Sequence, residues 1–158
     1  MGKTLVAYFS ATGNTADLSK RLAEILGADC REIKPKVPYS RYDLDWRDRN
    51  SRSSLEMNNR SYRPEIEVDI DNMDEYDTVF VGFPIWWYRE PSVIDTFMEA
   101  YDFSGKTVIP FCTSGGSKMG ETAKNIQAMA PGAVVKTGRR FGPGASDKKL
   151  SEWISEIE

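Results

Sequence analysis

The sequence contains no histidine, and its two cysteines, Cys30 and Cys112, lie far apart rather than in a C-x-x-C pair. The missing histidine excludes Ser-His-Asp and Cys-His catalysis. It also removes the commonest general base at neutral pH and the commonest metal ligand. Any chemistry must therefore come from carboxylates, lysine, tyrosine, cysteine or a bound cofactor.

Strongly basic segments and long apolar runs are also missing. The formal net charge is −3 and no basic stripe follows one helix, so nucleic-acid binding is not expected. No apolar run approaches the length of a membrane span. The 158 residues predict a single domain, 1–158. The two separated cysteines, with no signal-like start, predict a reducing, cytoplasmic location.

The most informative segment is the loop at residues 10–15. It follows an apolar run that predicts a strand over residues 3–9 and precedes a helical pattern over residues 14–26. Hydroxyl and amide side chains, one glycine and the free N–H groups of the helix start together predict a phosphate site. The loop has no lysine or arginine and only one glycine, which excludes the P-loop and the GxGxxG motif. A single terminal phosphate is therefore the expected ligand group.

The S-x-T-G-N-T pattern of this loop, directly after a first strand, resembles the phosphate-binding loop of flavodoxins, which hold flavin mononucleotide (FMN). The resemblance implies an α/β fold. This is a three-layer sandwich in which a five-stranded parallel sheet of order 2-1-3-4-5 carries helices on both faces. It also implies that loop residues hold the FMN phosphate, namely Ser10, Thr12, Gly13, Asn14 and Thr15.

The rest of the chain alternates strands and helices as this fold requires. Further strands are predicted at residues 29–33, 76–83, 106–111 and 133–141, and helices at 92–100, 121–129 and from 146 or 147 onward. Ser92 is the expected N-cap of the helix at 92–100.

Two loops at the carboxyl ends of these strands complete the predicted site, because ligands of open α/β sheets bind at that edge. One loop is unusually aromatic and the other is rich in glycine. By the resemblance, the aromatic loop lines the isoalloxazine ring of FMN with Pro84, Ile85, Trp86, Trp87 and Tyr88. The backbone of the glycine-rich loop meets the polar edge of the ring at Thr113, Ser114, Gly115, Gly116 and Ser117.

Both loops depart from the flavodoxin pattern. In familiar flavodoxins a glycine near the flavin N5 permits a peptide flip, whereas this chain has Ile85, Trp86 and Trp87 in that place. The glycine-rich loop lacks a tyrosine that could stack on the second face of the ring. That face is therefore either open or covered by another segment.

Residues 36–72 break the alternation and form an irregular polar excursion. Within it, residues 46–57 predict one helix, and Arg63-Pro64 ends the pattern. The segment is too long for a plain connection. Two interpretations stay open: a solvated surface helix, or a flap that presents arginine, tyrosine and tryptophan to the flavin edge or to a partner.

The resemblance implies a low-potential electron carrier that exchanges electrons with redox partner proteins or a small acceptor, as a monomer or weak dimer. An NAD(P)H-dependent reductase of quinones or similar small acceptors is the alternative. The sequence has no second dinucleotide motif, and this favours the carrier.

Two interpretations from other functional classes compete with the flavin hypothesis. Cys112 stands before a glycine-rich loop, as in low-molecular-weight tyrosine phosphatases, but Lys118 replaces the arginine of that motif. A binding module without catalysis would instead recruit a partner protein through Trp86, Trp87 and the arginine-rich segment.

Overall fold

The computed structural model describes residues 3–157. Met1, Gly2 and Glu158, the ends of the predicted domain, lie outside the described residues. In chain order the elements are β1 (Lys3–Tyr8), α1 (Asn14–Leu26), β2 (Asp29–Glu32), β3 (Lys34–Pro35), α2 (Arg52–Met57), β4 (Ile66–Glu67), a 3₁₀ turn (Met73–Glu75), β5 (Tyr76–Pro84), α3 (Ser92–Ala100), β6 (Thr107–Thr113), α4 (Thr122–Met129), β7 (Val134–Val135), β8 (Arg139–Phe141) and α5 (Asp147–Ile157).

The main sheet is parallel and has the order β2-β1-β5-β6-β7, with β8 also paired to β6. If β7 and β8 are counted as one interrupted strand, this is the predicted order 2-1-3-4-5, which is confirmed. The strands β3 and β4 form a separate antiparallel ribbon. In the described part of the chain, no helix is both long and apolar enough to cross a membrane.

Helices cover both faces of the sheet because alternate strand residues point to opposite sides. Leu5 of β1 belongs to the apolar core under α3 and α4, and its neighbour Val6 belongs to the core under α1 and α5. Each helix contributes one apolar stripe, such as Leu18 and Leu22 of α1. The predicted three-layer sandwich is therefore present.

The predicted strand at 133–141 is divided into two short pieces. Gly138 lies between β7 and β8 with φ of 79°, and a side chain at this position would collide with the carbonyl oxygen of Pro110. The backbone can take this path only because glycine has no Cβ. The carboxyl end of β8 then reaches the same sheet edge as β6.

The prediction that Ser92 caps α3 is wrong. Pro91 occupies the N-cap position and Ser92 is the first helical residue. The Ser92 side chain is buried and its hydroxyl lies 3.5 Å from the carbonyl oxygen of Glu56. Its role is thus to attach α2 to α3 rather than to begin the helix.

The predicted helix over residues 46–57 is also wrong in its first half, since only α2 is helical. In the residues that precede α2, aspartate side chains accept hydrogen bonds from backbone N–H groups and so favour turns over a helix. Asp45 accepts a hydrogen bond from the Arg47 N–H at 3.1 Å, and Asp48 accepts one from the Asn50 N–H at 2.9 Å. Consecutive turns result, and α2 begins only at the Ser51 cap, which accepts from the Ser54 N–H.

Candidate functional site

A cavity of about 700 Å³ opens at the carboxyl edge of the sheet. The loops after β1, β5 and β6 all reach it, as predicted, because these parallel strands end side by side. The cavity-lining residues from the predicted set are Thr12, Asn14, Pro84, Ile85, Trp86, Trp87, Tyr88, Thr113, Ser114, Gly115 and Ser117. The other predicted residues, Ser10, Gly13, Thr15 and Gly116, do not line it.

The first loop is shaped by a glycine in the left-handed region. Gly13 has φ of 99°, and its N–H donates to the Ser10 hydroxyl at 3.1 Å. Gly13 is also the N-cap residue of α1, and no side chain caps that helix. The first N–H groups of α1 are thus available to a ligand, with Thr12 and Asn14 on the cavity wall.

One hydrogen bond joins the first loop to the glycine-rich loop. The hydroxyl oxygens of Thr15 and Thr113 lie 2.7 Å apart, and Thr15 is buried. Thr15 therefore contributes to the site by holding two loops together rather than by facing the cavity.

The aromatic loop is a tight two-residue turn. Trp86 and Arg89 exchange backbone hydrogen bonds, both 3.1 Å long. The two residues between them, Trp87 and Tyr88, have φ values of 48° and 63°. Such a turn normally uses glycine or asparagine, so two bulky residues here store strain of order 1 kcal/mol each.

The surrounding structure holds this strained turn in place. The Arg89 side chain is buried and donates to the Met57 carbonyl oxygen at 3.1 Å and to Asp95 at 3.4 Å. On the other side, the Tyr88 carbonyl oxygen accepts from the Glu121 N–H at 3.1 Å.

The Trp86 ring lines the cavity and is held in place by two other aromatic rings, against which it packs edge-on. The centroid of Phe9 lies 5.6 Å away and that of Tyr39 lies 5.4 Å away. Tyr39 in turn donates to Glu56 and carries the Arg52 guanidinium 3.8 Å from its ring centroid. Burial and the Glu56 hydrogen bond raise the pKa of Tyr39 far above its ordinary value, so this phenol stays protonated.

The glycine-rich loop is braced by an arginine from β8. Arg140 donates to the Ser114 hydroxyl at 3.0 Å and to the Ser114 carbonyl oxygen at 2.9 Å. The Ser114 hydroxyl donates in turn to the carbonyl oxygen of Ser117. These hydrogen bonds fix the conformation of the glycine-rich loop.

Cys112 does not have the properties of a phosphatase nucleophile. It is fully buried, and this burial raises the pKa of its thiol to about 12. A reactive cysteine needs the opposite environment, one that favours the thiolate. Cys112 serves here as an apolar residue at the end of β6.

Several cavity residues were not among the predicted ones. They are Asp17, Leu18, Arg21, Leu44, Trp46, Ser53, Gly142, Pro143, Gly144 and Ala145. Leu44 and Trp46 belong to the polar excursion, and their position agrees with the flap interpretation of that segment. The residues from Gly142 to Ala145 follow β8, whose carboxyl end lies at the same sheet edge as that of β6. The rule that ligands bind at this edge could have predicted them.

Two carboxylates pair with the Arg21 guanidinium of the cavity wall, so this cluster has a net charge of −1. Asp17 and Arg21 lie one helical turn apart on α1, with 3.1 Å between the Asp17 carboxylate and Nε of Arg21. A second carboxylate, Asp147, lies 2.8 Å from the same guanidinium. Among the described lining residues no other side chain is charged.

Comparison with known proteins decides the family. A protein-family model described as Flavodoxin matches residues 3–157. The chain belongs to the flavodoxin family. A comparison with curated proteins finds no match.

Two solved structures of Bacteroides proteins resemble this chain over nearly its whole length. A candidate flavoprotein from Bacteroides uniformis is 47% identical, with 98% of each chain covered and a TM-score of 0.92. One from Bacteroides eggerthii is 43% identical, with 99% of this chain and 98% of that chain covered and a TM-score of 0.92. A Lactobacillus acidophilus flavoprotein in complex with FMN is 24% identical, covers 98% of this chain and 99% of that chain, and has a TM-score of 0.70. This last likeness shows the shared fold.

Proposed function

We propose that the cavity binds one FMN molecule and that the protein acts as an electron carrier. The observation that supports this most directly is that loops after three neighbouring strands meet at one cavity of about 700 Å³. Sites for small molecules commonly measure roughly 300–1,000 Å³. Membership of the flavodoxin family and a fold shared with a flavoprotein in complex with FMN point to the same ligand.

The donors of the first loop fit a terminal phosphate. Thr12 and Asn14 line the cavity beside the uncapped start of α1, where the helix dipole favours an anion. The loop carries no lysine or arginine to bind a polyphosphate. We therefore assign the phosphate to this end, with Ser10 and Gly13 shaping the loop and Thr15 anchoring it.

The remaining two loops suit a flat heterocycle. Residues from Pro84 to Tyr88 supply apolar walls, and the backbone of Ser114, Gly115 and Ser117 supplies polar groups for the ring edge. Gly116 is exposed and does not line the cavity, and a Cβ at this position would have no other atom within 4 Å.

Bound FMN would supply the capacity to accept and donate electrons. The chain's own residues position the ring and exclude water from it. Asp17 and Arg21 are the charged residues among the described lining residues, and they bond each other. Among the described lining residues no side chain is placed as a free acid or base, and electron transfer through a flavin needs none.

Anaerobic mixing of the FMN-loaded protein with NADH and with NADPH tests the carrier assignment. We expect the flavin absorbance to persist with both nucleotides and to bleach when dithionite is added. Rapid bleaching by either nucleotide would establish the reductase in place of the carrier. A cytoplasmic location is also part of this proposal, and both cysteines are free thiols, as a reducing compartment requires.

A further inference from the structure

The mouth of the cavity carries excess positive charge in a chain whose net charge is −3. Residues 38–63 supply the cavity-lining Leu44 and Trp46, and they contain six arginines and four acidic residues. Two of these arginines, Arg41 and Arg49, are exposed and form no ion pair within residues 3–157.

Four of the six arginines are neutralised by acidic side chains, so the excess depends on Arg41 and Arg49 and is reduced by Asp48, which is exposed and forms no ion pair within residues 3–157. Asp45 lies 3.4 Å from Arg47, and Glu121 lies 3.5 Å from Arg60. Lys118 of the glycine-rich loop is exposed and adds a positive charge with no acidic partner in the described part of the chain. Arg41, Arg49 and Lys118, set against Asp48, leave this surface with an excess of two positive charges.

Negative charge is concentrated at the opposite edge of the sheet. Residues 69–77 contain five acidic residues and no basic residue, and one of the five, Glu75, pairs with Lys3 at 3.8 Å. They lead into the amino end of β5 at Tyr76, whereas the cavity lies at the carboxyl end of that strand. The molecule is therefore polarised along its strands, and a charged partner would be oriented as it approaches.

Exposed aromatic side chains lie within this basic surface. Trp46 is 71% exposed and Tyr88 is 73% exposed, and both line the cavity. Large aromatic residues next to arginine are the typical composition of protein interfaces. The surface thus combines a contact area for a protein with a definite electrostatic sign.

We infer that the mouth face, formed by Arg41, Trp46, Arg49, Tyr88 and Lys118, is the docking surface for an acidic redox protein. The inference rests on the proposed function and adds the chemistry of the partner. The net charge of −3 alone would favour a basic partner, but the charges at the mouth have the opposite sign. At ordinary salt, charges beyond about 10 Å are screened, so the local charges decide.

Paramagnetic ions of opposite charge test the sign of this surface without any turnover. Amide signals of the isotopically labelled, FMN-loaded protein are recorded with hexacyanochromate(III), a trivalent anion, and with tris(ethylenediamine)chromium(III), a trivalent cation. We expect the anion to broaden signals of residues 41–50 and Tyr88, and the cation to broaden those of residues 69–77. Broadening of the mouth face by the cation would overturn the inference. Because the protein is loaded with FMN, the measured response includes the effect of the negative FMN phosphate.

Two double variants that change the net charge equally distinguish the effect of charge at the mouth face from the effect of overall charge. Arg41→Glu/Arg49→Glu alters the mouth face, and Lys20→Glu/Lys136→Glu alters exposed positions that do not line the cavity. We expect the first pair to abolish anion broadening at the mouth and the second to preserve it. Equal loss in both would show that overall charge governs the contact, which contradicts the inference.

The protein arm of the test uses two carriers of opposite charge, an acidic plant-type ferredoxin and the basic cytochrome c. We expect ferredoxin to shift the mouth-face signals, with affinity falling about tenfold or more between low and physiological salt. Shifts there from cytochrome c alone would overturn the inference. So would shifts that depend on the concentration of this protein by itself, which would identify a second copy as the occupant. Flavin absorbance of the same sample tests the proposed function separately.

Discussion

The hydroxyl groups of Thr15 and Thr113 lie 2.7 Å apart, although 98 positions separate these residues in the sequence. They connect the start of α1 to the end of β6, and so tie the proposed phosphate loop to the loop proposed for the ring edge. We expect Thr15→Val to lower the free energy of unfolding by about 1 kcal/mol, because one hydroxyl loses its partner. FMN affinity should fall about five- to tenfold.

A double-mutant cycle with Thr113→Val isolates this hydrogen bond. The double variant should be more stable than the sum of the two single losses predicts. Ser19→Ala is the control in the same helix, since the buried Ser19 hydroxyl has no hydrogen-bond partner among the described residues. It should leave stability unchanged or raise it. Additive losses in the cycle would show that the two hydroxyls do not interact.

Gly120 allows the strained aromatic turn to approach the glycine-rich loop. It has φ of 58°, and a Cβ at this position would overlap the carbonyl oxygen of Tyr88. We expect Gly120→Ala to destabilise the protein by about 1–3 kcal/mol and to weaken FMN binding, because Trp87 and Tyr88 must move. Urea unfolding and an FMN titration measure the two effects.

Gly105→Ala is a matched control for that substitution. Gly105 also has a positive φ, 78°, but a Cβ at this position would have no other atom within 4 Å. Its replacement should show the backbone penalty alone, about 1 kcal/mol, with FMN affinity unchanged. If both variants bind FMN like the parent, the turn does not contact the flavin.

Trp46 lines the cavity while remaining 71% exposed, so its removal should affect the ligand more than the fold. We expect Trp46→Ala to change stability by no more than about 0.5 kcal/mol. FMN affinity should fall about five- to tenfold, as the loss of one aromatic contact predicts. Tyr42→Ala is the control, because Tyr42 is 83% exposed and does not line the cavity. Equal affinity in both variants would place the flavin away from the excursion.

The buried Asp95 predicts an unusual dependence of stability on pH. Burial, followed by the neighbouring Glu90, raises the pKa of Asp95 to about 9. The folded protein therefore holds a proton that the unfolded chain releases above about pH 4. Stability should fall as pH rises from about 4 to about 9, since the unfolded state binds fewer protons. Asp95→Asn should stabilise the protein at pH 8 and have little effect at pH 4.

Glu99 provides a control of opposite sign for this experiment. Its hydrogen bond to Arg63 lowers the pKa of the Glu99 carboxyl, so it contributes stability above its unfolded pKa that is lost in acid. Glu99→Gln should therefore weaken the protein at neutral pH and have little effect in acid. If Asp95→Asn instead destabilises the protein at pH 8, Asp95 is an ionised partner of Arg89.

The sequence predicted those parts of the fold that depend on local pattern. The bounds of α1 are as predicted, because the apolar spacing lies between Gly13 and the C-cap residue Gly27, which has φ of 64°. The division of the last strand could not be predicted, because it depends on the distance from Gly138 to Pro110 on a neighbouring strand. Apolar pattern alone does not report such distances.

The predicted site shows the same division between local and tertiary information. Loop positions followed from strand ends, whereas Arg21 reaches the cavity because Asp147 of another helix holds its guanidinium. The strained backbone at Trp87 and Tyr88 likewise depends on contacts with distant parts of the chain. The sequence would not place either residue at positive φ, and the buried Arg89 and the Glu121 N–H maintain that conformation.

Titration of the flavin-free protein with FMN and with riboflavin tests the central claim most directly, because the two ligands differ by the phosphate. We expect one FMN bound per chain, with an affinity about 100-fold or more above that for riboflavin. Thr12→Val should remove part of that difference, since Thr12 lines the cavity at the start of α1. Failure to bind FMN, or equal affinity for both ligands, would contradict the account.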